Sequence, residues 1–303
     1  WGASAPDMVF ADAPKGVKFA LGENPKRSNW GEANRFPGSR MGVEAVLRRS
    51  FEEAGRYEKA LENYTLGVRR GDDPDPFRRD LRLEALAGIL SGDIAVHSHC
   101  YRADEILMLL STAERFGFEV ATLQHVLEGY KVAAEIAEHG AGGSTFVDWW
   151  AYKAEAFDAT PYCASLMAEE GVVMSVNSDS DEHLRRLYLE AAKTVKYGGM
   201  DEEEALRTIT LNPAKQLGID AWVGSIDVGK DADFALFSHH PFDVRTKCLM
   251  TFVDGELLFE RRETVYDEWV SEIQRRLDAV DGEVASEEAI DHWDRDEVLA
   301  ALP

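Results

Sequence analysis

Apolar residues along this chain fall into two alternating textures. Short continuous runs at 93–98, 118–124 and 171–177 are each followed by stretches in which apolar residues recur every three or four positions. The first texture reads as buried parallel strands and the second as helices packed on one face. The run at 93–98 climbs to His97 and His99 and leads into a helix over 103–116, with Ile106, Leu109, Leu110 and Ala113 on one side. Residues 118–124 form the next strand, ending at His125, before a helix over about 129–138. A weaker strand at 140–147 leads into an aromatic loop at 148–153, and a helix covers 161–169. The strand at 171–177 ends at Ser178-Asp179, and a helix covers 182–197. Further helices begin at Asp201, with an acidic first turn, and at Asn212-Pro213.

Upstream, a short strand from Gly16 ends in a Gly22-Glu23-Asn24 turn that Pro25 prevents from continuing. Residues 28–40 lack periodicity and read as a long loop. A helix from Gly42 to about Tyr64 places Val43, Val46, Leu47, Phe51 and Ala54 on one face. A breaker at 72–76 precedes a second helix to about Leu90. The result is five strand–helix units at βαβ spacing. A closed (β/α)8 barrel needs eight strands, so the sheet is open or three strands come from elsewhere. The expected fold class is α/β, a partial TIM (β/α)8 barrel over residues 1–218. Residues 219–262 then read as turn-rich β structure, with a hairpin on Asp254-Gly255. Residues 263–303 read as an acidic helical extension.

Composition narrows the partners. The 303-residue chain carries a formal net charge of −23, which argues against nucleic acid and anionic membranes as partners. No apolar stretch is long enough for a membrane span. Cys100, Cys163 and Cys248 are widely spaced and form no disulfide framework. The compartment, cytoplasmic or periplasmic/secreted, stays open.

Polar residues at the strand ends carry the candidate chemistry. Glu23, His99, His125 and Asp179 each close a different parallel strand, and in a barrel-like sheet those ends converge on one face. Two imidazoles with carboxylates suit a divalent cation, Zn²⁺ above all, with Mn²⁺, Fe²⁺ or Co²⁺ as alternatives. Asp179 is placed to take a proton from activated water and return it to a leaving group. Taken singly, each has a plainer reading: a hydrogen-bonded strand-end His, a helix N-cap at Asp179, a turn-stabilising Glu23. His97 shares the pleat face of His99 and is a candidate substrate contact, as are Arg102 and Tyr152. Lys18 could bridge metals if carbamylated but lies two pleats before the turn, so Glu23 is preferred.

The order strand-His, strand-His, strand-Asp resembles the second half of the amidohydrolase superfamily of metal-dependent hydrolases. The stretches at 211–218 and 223–233 are similar to its C-terminal signature, and those at 22–27 (GENPKR) and 124–131 (QHVLEGYK) resemble its imidazolonepropionase-like group. The resemblance implies a barrel covering about strands four to eight and a small β-sandwich completed by both termini. It also implies hydrolysis of a C–N bond (amide, cyclic amide or peptide-like) in a small molecule or short peptide, by water activated on one or two ions. His99 would belong to barrel strand five, His125 to strand six, Asp179 to strand eight, and Glu23 or Lys18 to strand four. The superfamily's strand-one His-x-His is expected before Trp1, on a complementary N-terminal segment or partner chain. The alternative is a non-catalytic scaffold, a binding subunit or a fragment of such a hydrolase.

Overall fold

In the computed structural model, which describes residues 4–10, 12–27, 36–262, 271–273 and 275–276, five parallel strands pair in chain order. They are β1 (Lys15–Ala20), β2 (Ile94–His99), β3 (Val120–Gln124), β4 (Gly142–Thr145) and β5 (Met174–Val176). Between β1 and β2 lie α1 (Glu23–Arg27), α2 (Arg40–Arg70) and α3 (Leu81–Leu90). Helices α4 (Ala103–Phe116), α5 (Ala133–His139) and α6 (Cys163–Glu169) fill the next three crossovers. After β5 come α7 (Leu187–Gly198), α8 (Glu202–Arg207) and α9 (Leu211–Leu217).

Strand register divides the sheet into two unlike faces. Lys18 pairs with His97, His97 with Thr122, and Thr122 with Gly142. One step further along, Ala20, His99, Gln124, Ser144 and Ser175 align across all five strands. Side chains alternate along a strand, so both rows lie on one polar face. The intervening residues Val17, Phe19, Ile94, Val96, Val120, Leu123 and Met174 pack against α2, α4, α5 and α6 in one apolar core. Phe51 of α2 anchors that core: it is 1% exposed, with ring centroids 4.5 Å from Phe118 and 5.5 Å from Phe116. Among the described residues no strand pairs with the outer edge of β1 or of β5.

Helix α2 runs six residues past its expected end at Tyr64 because its stop signal is Gly71. That residue adopts φ 85°, and its N–H reaches the carbonyls of Gly67 and Val68. Ser39 caps the other end by accepting from the Gly42 N–H at 3.1 Å. Of the expected loop at 28–40, residues 28–35 lie outside the described residues.

The stretch 211–218 has a structural task. The Asn212 side chain donates to the Met174 carbonyl at 2.8 Å, and Gln216 Nε2 donates to the carbonyls of Gly143 and Val173 at 2.9 and 2.8 Å. Gln216 Oε1 accepts from Ser175 Oγ at 2.7 Å, so α9 clips β4 to β5. Gly224 adopts φ 91°, and a Cβ there would lie 2.8 Å from the Ala214 methyl, which explains a glycine in the second signature stretch.

A second, antiparallel sheet holds β6 (Phe234–Phe237), β7 (Cys248–Val253) and β8 (Glu256–Glu260). Asp254 (φ 52°) and Gly255 (φ 76°) make the expected hairpin turn. Of the expected helical extension, residues 271–273 and 275–276 are helical, and the rest lies outside the described residues. No helix among the described residues is long and apolar enough to cross a membrane.

Phe51→Ala removes the ring on which α2, α4 and the sheet meet. It is expected to cost about 3–5 kcal/mol, read as a lowered midpoint in urea unfolding.

Candidate active site

A cavity of about 530 Å³ opens at the C-terminal ends of the parallel strands. It is lined by Lys18, Phe19, Ala20, Asn24, His99, Tyr101, His125, Phe146, Trp149, Tyr152, Lys153 and Asp179. His99 ends β2 and His125 follows β3 directly; both are 5% exposed, with ring centroids 5.1 Å apart. Phe146 stacks on His125 at 4.7 Å, and Tyr101 meets the His99 ring edge-on at 4.7 Å.

Burial disfavours the charged form of both imidazoles. Desolvation, with His125 and Lys153 adding repulsion, pushes His99 down to about 4. His125 is also lowered, by burial first, against the opposing pull of Asp179. Asn177 Oδ1 lies 3.0 Å from His125 Nδ1, and Asn177 in turn donates to Ser144 Oγ at 2.6 Å. An amide oxygen only accepts, so Nδ1 carries the proton and Nε2 keeps its lone pair. That Nε2 lies 3.9 Å from Asp179 Oδ2. On His99 the corresponding lone pair is met by Asn24 Nδ2 at 3.2 Å.

His125 (φ 60°) and Asp179 (φ 47°) are two of the four non-glycine residues with left-handed backbone among the described residues. Such a conformation costs of order 1–3 kcal/mol and collects at functional sites. Here it turns the chain sharply after β3 and β5, and both side chains line the cavity.

A charge quartet of two buried carboxylates and two half-buried cations braces the rim. Arg40 Nε lies 3.2 Å from Glu105 Oε2, Arg40 Nη2 lies 3.0 Å from Glu155 Oε2, and Lys153 Nζ lies 3.1 Å from Glu155 Oε1. The two carboxylates also accept main-chain N–H groups of the turn after β1, Gly22 to Glu105 and Glu23 to Glu155, both at 2.9 Å. Gly22 has φ 73°, and a Cβ there would fall 2.6 Å from Glu155 Oε2. The Gly-Glu-Asn turn is thereby held so that Asn24 reaches His99.

The structure brings His99, His125, Asp179 and Tyr152 to one cavity and separates the two strand-four candidates. Glu23 opens α1 and is absent from the lining, whereas Lys18 is on it. The four-carbon stem of Lys18 spans the two pleats that its main chain falls short. His97 is half-buried beside Gly16 and outside the lining, and Arg102 pairs with exposed Asp104 at 2.9 Å. Lys153, Glu155, Asn24 and Asn177 escaped the sequence reading. Only Asn24 had a signal, its place in the Gly22–Arg27 stretch.

The donor set suits a divalent cation in kind, with two imidazoles and a carboxylate facing one space, and Lys18 would join it as a donor only if carbamylated. It is incomplete in number. Among the described residues, no three His, Cys, Asp or Glu side chains stand together as a group able to hold an ion.

Glu155→Ala strips buried partners from Arg40 and Lys153. It is expected to destabilise by about 1–3 kcal/mol in urea unfolding, and Glu155→Gln by less.

Residues 91–258 match the Amidohydrolase family. The chain is 30% identical over 255 residues to amidohydrolase tasK of Hapsidospora irregularis, a match covering 80% of this chain and 26% of tasK. It is 49% identical over 53 residues to imidazolonepropionase of Shewanella frigidimarina, covering 18% of this chain and 12% of that enzyme. The crystal structure of an amidohydrolase from Thermotoga maritima superposes with a TM-score of 0.74 at 34% identity, over 81% of this chain and 63% of that one. The chain thus spans about a quarter of the length of tasK and less than two thirds of the Thermotoga protein. The cavity's position at the strand ends, its histidine pair and these matches lead to one assignment: the chain belongs to the amidohydrolase family.

Proposed function

We propose that this chain carries the His–His–Asp part of a metal-dependent hydrolase that breaks a C–N bond in a small molecule or short peptide. The observation that supports this reading best is the convergence of His99, His125 and Asp179, from three strands, on one cavity. His99, His125 and Asp179 are the side chains that would contribute ligands to the cation, Zn²⁺ or an ion of similar preference, once further ligands complete the set. Lys18, once carbamylated, would stand as the bridging ligand in the place first given to Glu23. Such an ion supplies Lewis acidity toward a carbonyl oxygen and toward water.

The chain's own residues supply the rest. The Asp179 carboxylate, 62% exposed at the cavity mouth, accepts a proton at Oδ2 and returns it to the leaving nitrogen. Asn177 fixes the His125 tautomer. Phe146, Trp149 and Tyr152 form an apolar wall that holds the substrate and limits water.

We further propose a complementary segment or partner chain bearing a His-x-His. Among the described residues the five-strand sheet has two unpaired outer edges, a form that invites further strands. The incomplete ligand number favours the same completion, and it equally favours a second reading, a scaffold subunit that has no metal.

Elemental analysis and intact mass of protein purified from its native source separate the two. The hydrolase reading expects one or two divalent ions per complex, a second His-x-His segment, and chelator-sensitive turnover of amides, cyclic amides or dipeptides. Asp179→Asn is expected to lower kcat by about 10²–10⁴-fold without loss of fold by circular dichroism. Protein without metal or turnover in its native assembly would leave the scaffold.

A further inference from the structure

A lysine ammonium on the cavity wall stands out in a chain that holds 56 Asp and Glu against 33 Lys and Arg. The contrast singles out Lys153, which lies on the aromatic loop before α6. Its ammonium sits 4.1 Å from the Tyr101 ring centroid and 5.5 Å from that of Tyr152, so two π faces hold it at the cavity wall. Glu155 fixes it from behind at 3.1 Å. The same carboxylate also serves Arg40 and the Glu23 N–H, so its charge is divided between two cations. Beside Lys153, the Tyr152 hydroxyl donates to the Tyr101 hydroxyl at 2.9 Å, and Trp149 and Phe146 continue the wall.

We propose that Lys153 is a specificity-determining residue: it receives a carboxylate of the substrate while a flat apolar part of that molecule lies against Trp149 and Tyr152. This rests on the hydrolase reading above and gives its substrate class, an anionic amide with an apolar side group. A carbamylated Lys18 would have lost its positive charge, which leaves Lys153 as the cation on the lining. Held at the wall, the Lys153 ammonium offers a substrate carboxylate a charge-assisted hydrogen bond that a neutral analogue cannot make.

The test uses two ligands without a C–N bond, 3-phenylpropionate and its neutral analogue 3-phenylpropan-1-ol, titrated calorimetrically into the protein as purified. Wild type is expected to prefer the acid by about tenfold, the ratio that 1.4 kcal/mol supplies. Lys153→Met is expected to erase the preference while leaving alcohol affinity within about twofold, and Lys153→Arg to keep most of it. Because Lys153→Met leaves Glu155 with one partner fewer, the pair Lys153→Met with Glu155→Gln repeats the measurement with both charges removed. The proposal is overturned if wild type shows no acid preference, if the preference survives loss of Lys153, or if acid and alcohol weaken equally. Since neither ligand can be hydrolysed at a C–N bond, an acid preference without amide turnover would remove the hydrolase reading and keep Lys153. Turnover without an acid preference would do the reverse.

Discussion

Everything at this site depends on the phase of alternation along five short strands. With Lys18 opposite His97 and Ala20 opposite His99, the imidazoles face one side and Val17, Phe19 and Val96 face the helices. A slip of one residue would exchange the two sets, burying histidines against Phe51 and turning valines to the cavity. The apolar core therefore sets the chemistry by elimination. Large side chains that need α2 and α4 leave only the other pleat for polar groups.

The charge quartet adds a second constraint, across elements far apart in sequence. Two buried carboxylates and two cations balance formally, and their gain is spatial fixation more than net stability. Arg40 begins α2, Glu105 lies in the first turn of α4, and Glu155 and Lys153 belong to the loop before α6. All of them meet at the turn after β1, the one that carries Asn24 to His99. The turn's glycine is required because the Glu155 carboxylate occupies the space that a side chain would need.

Much of this was legible in advance. The strand–helix alternation gave the five strands, and α4 falls where its apolar spacing placed it. His99, His125 and Asp179 were visible because each closes an apolar run. Main-chain distance from the turn favours Glu23 over Lys18, and the reach of a long side chain does not enter that measure. Gly22 swings Glu23 into α1, while the long Lys18 side chain reaches the cavity from below. Lys153 and Glu155 left no trace in periodicity: they sit in an irregular loop, and their meaning comes from Arg40 and Tyr101, which only folding brings near. The end of α2 was missed for a local reason, since Tyr64 to Arg70 continue the helix until Gly71 provides a left-handed stop.

The clip made by α9 has an evolutionary consequence. Asn212 and Gln216 grip carbonyl oxygens of Gly143, Val173 and Met174, groups that every residue type presents alike. Side chains farther along β4 and β5, toward the cavity, can therefore be exchanged without loosening that grip. A fold fastened this way keeps its grip at the base of the sheet while side chains at the strand ends change. The signature stretch then records how the fold is held together, and the chemistry is free to diverge above it.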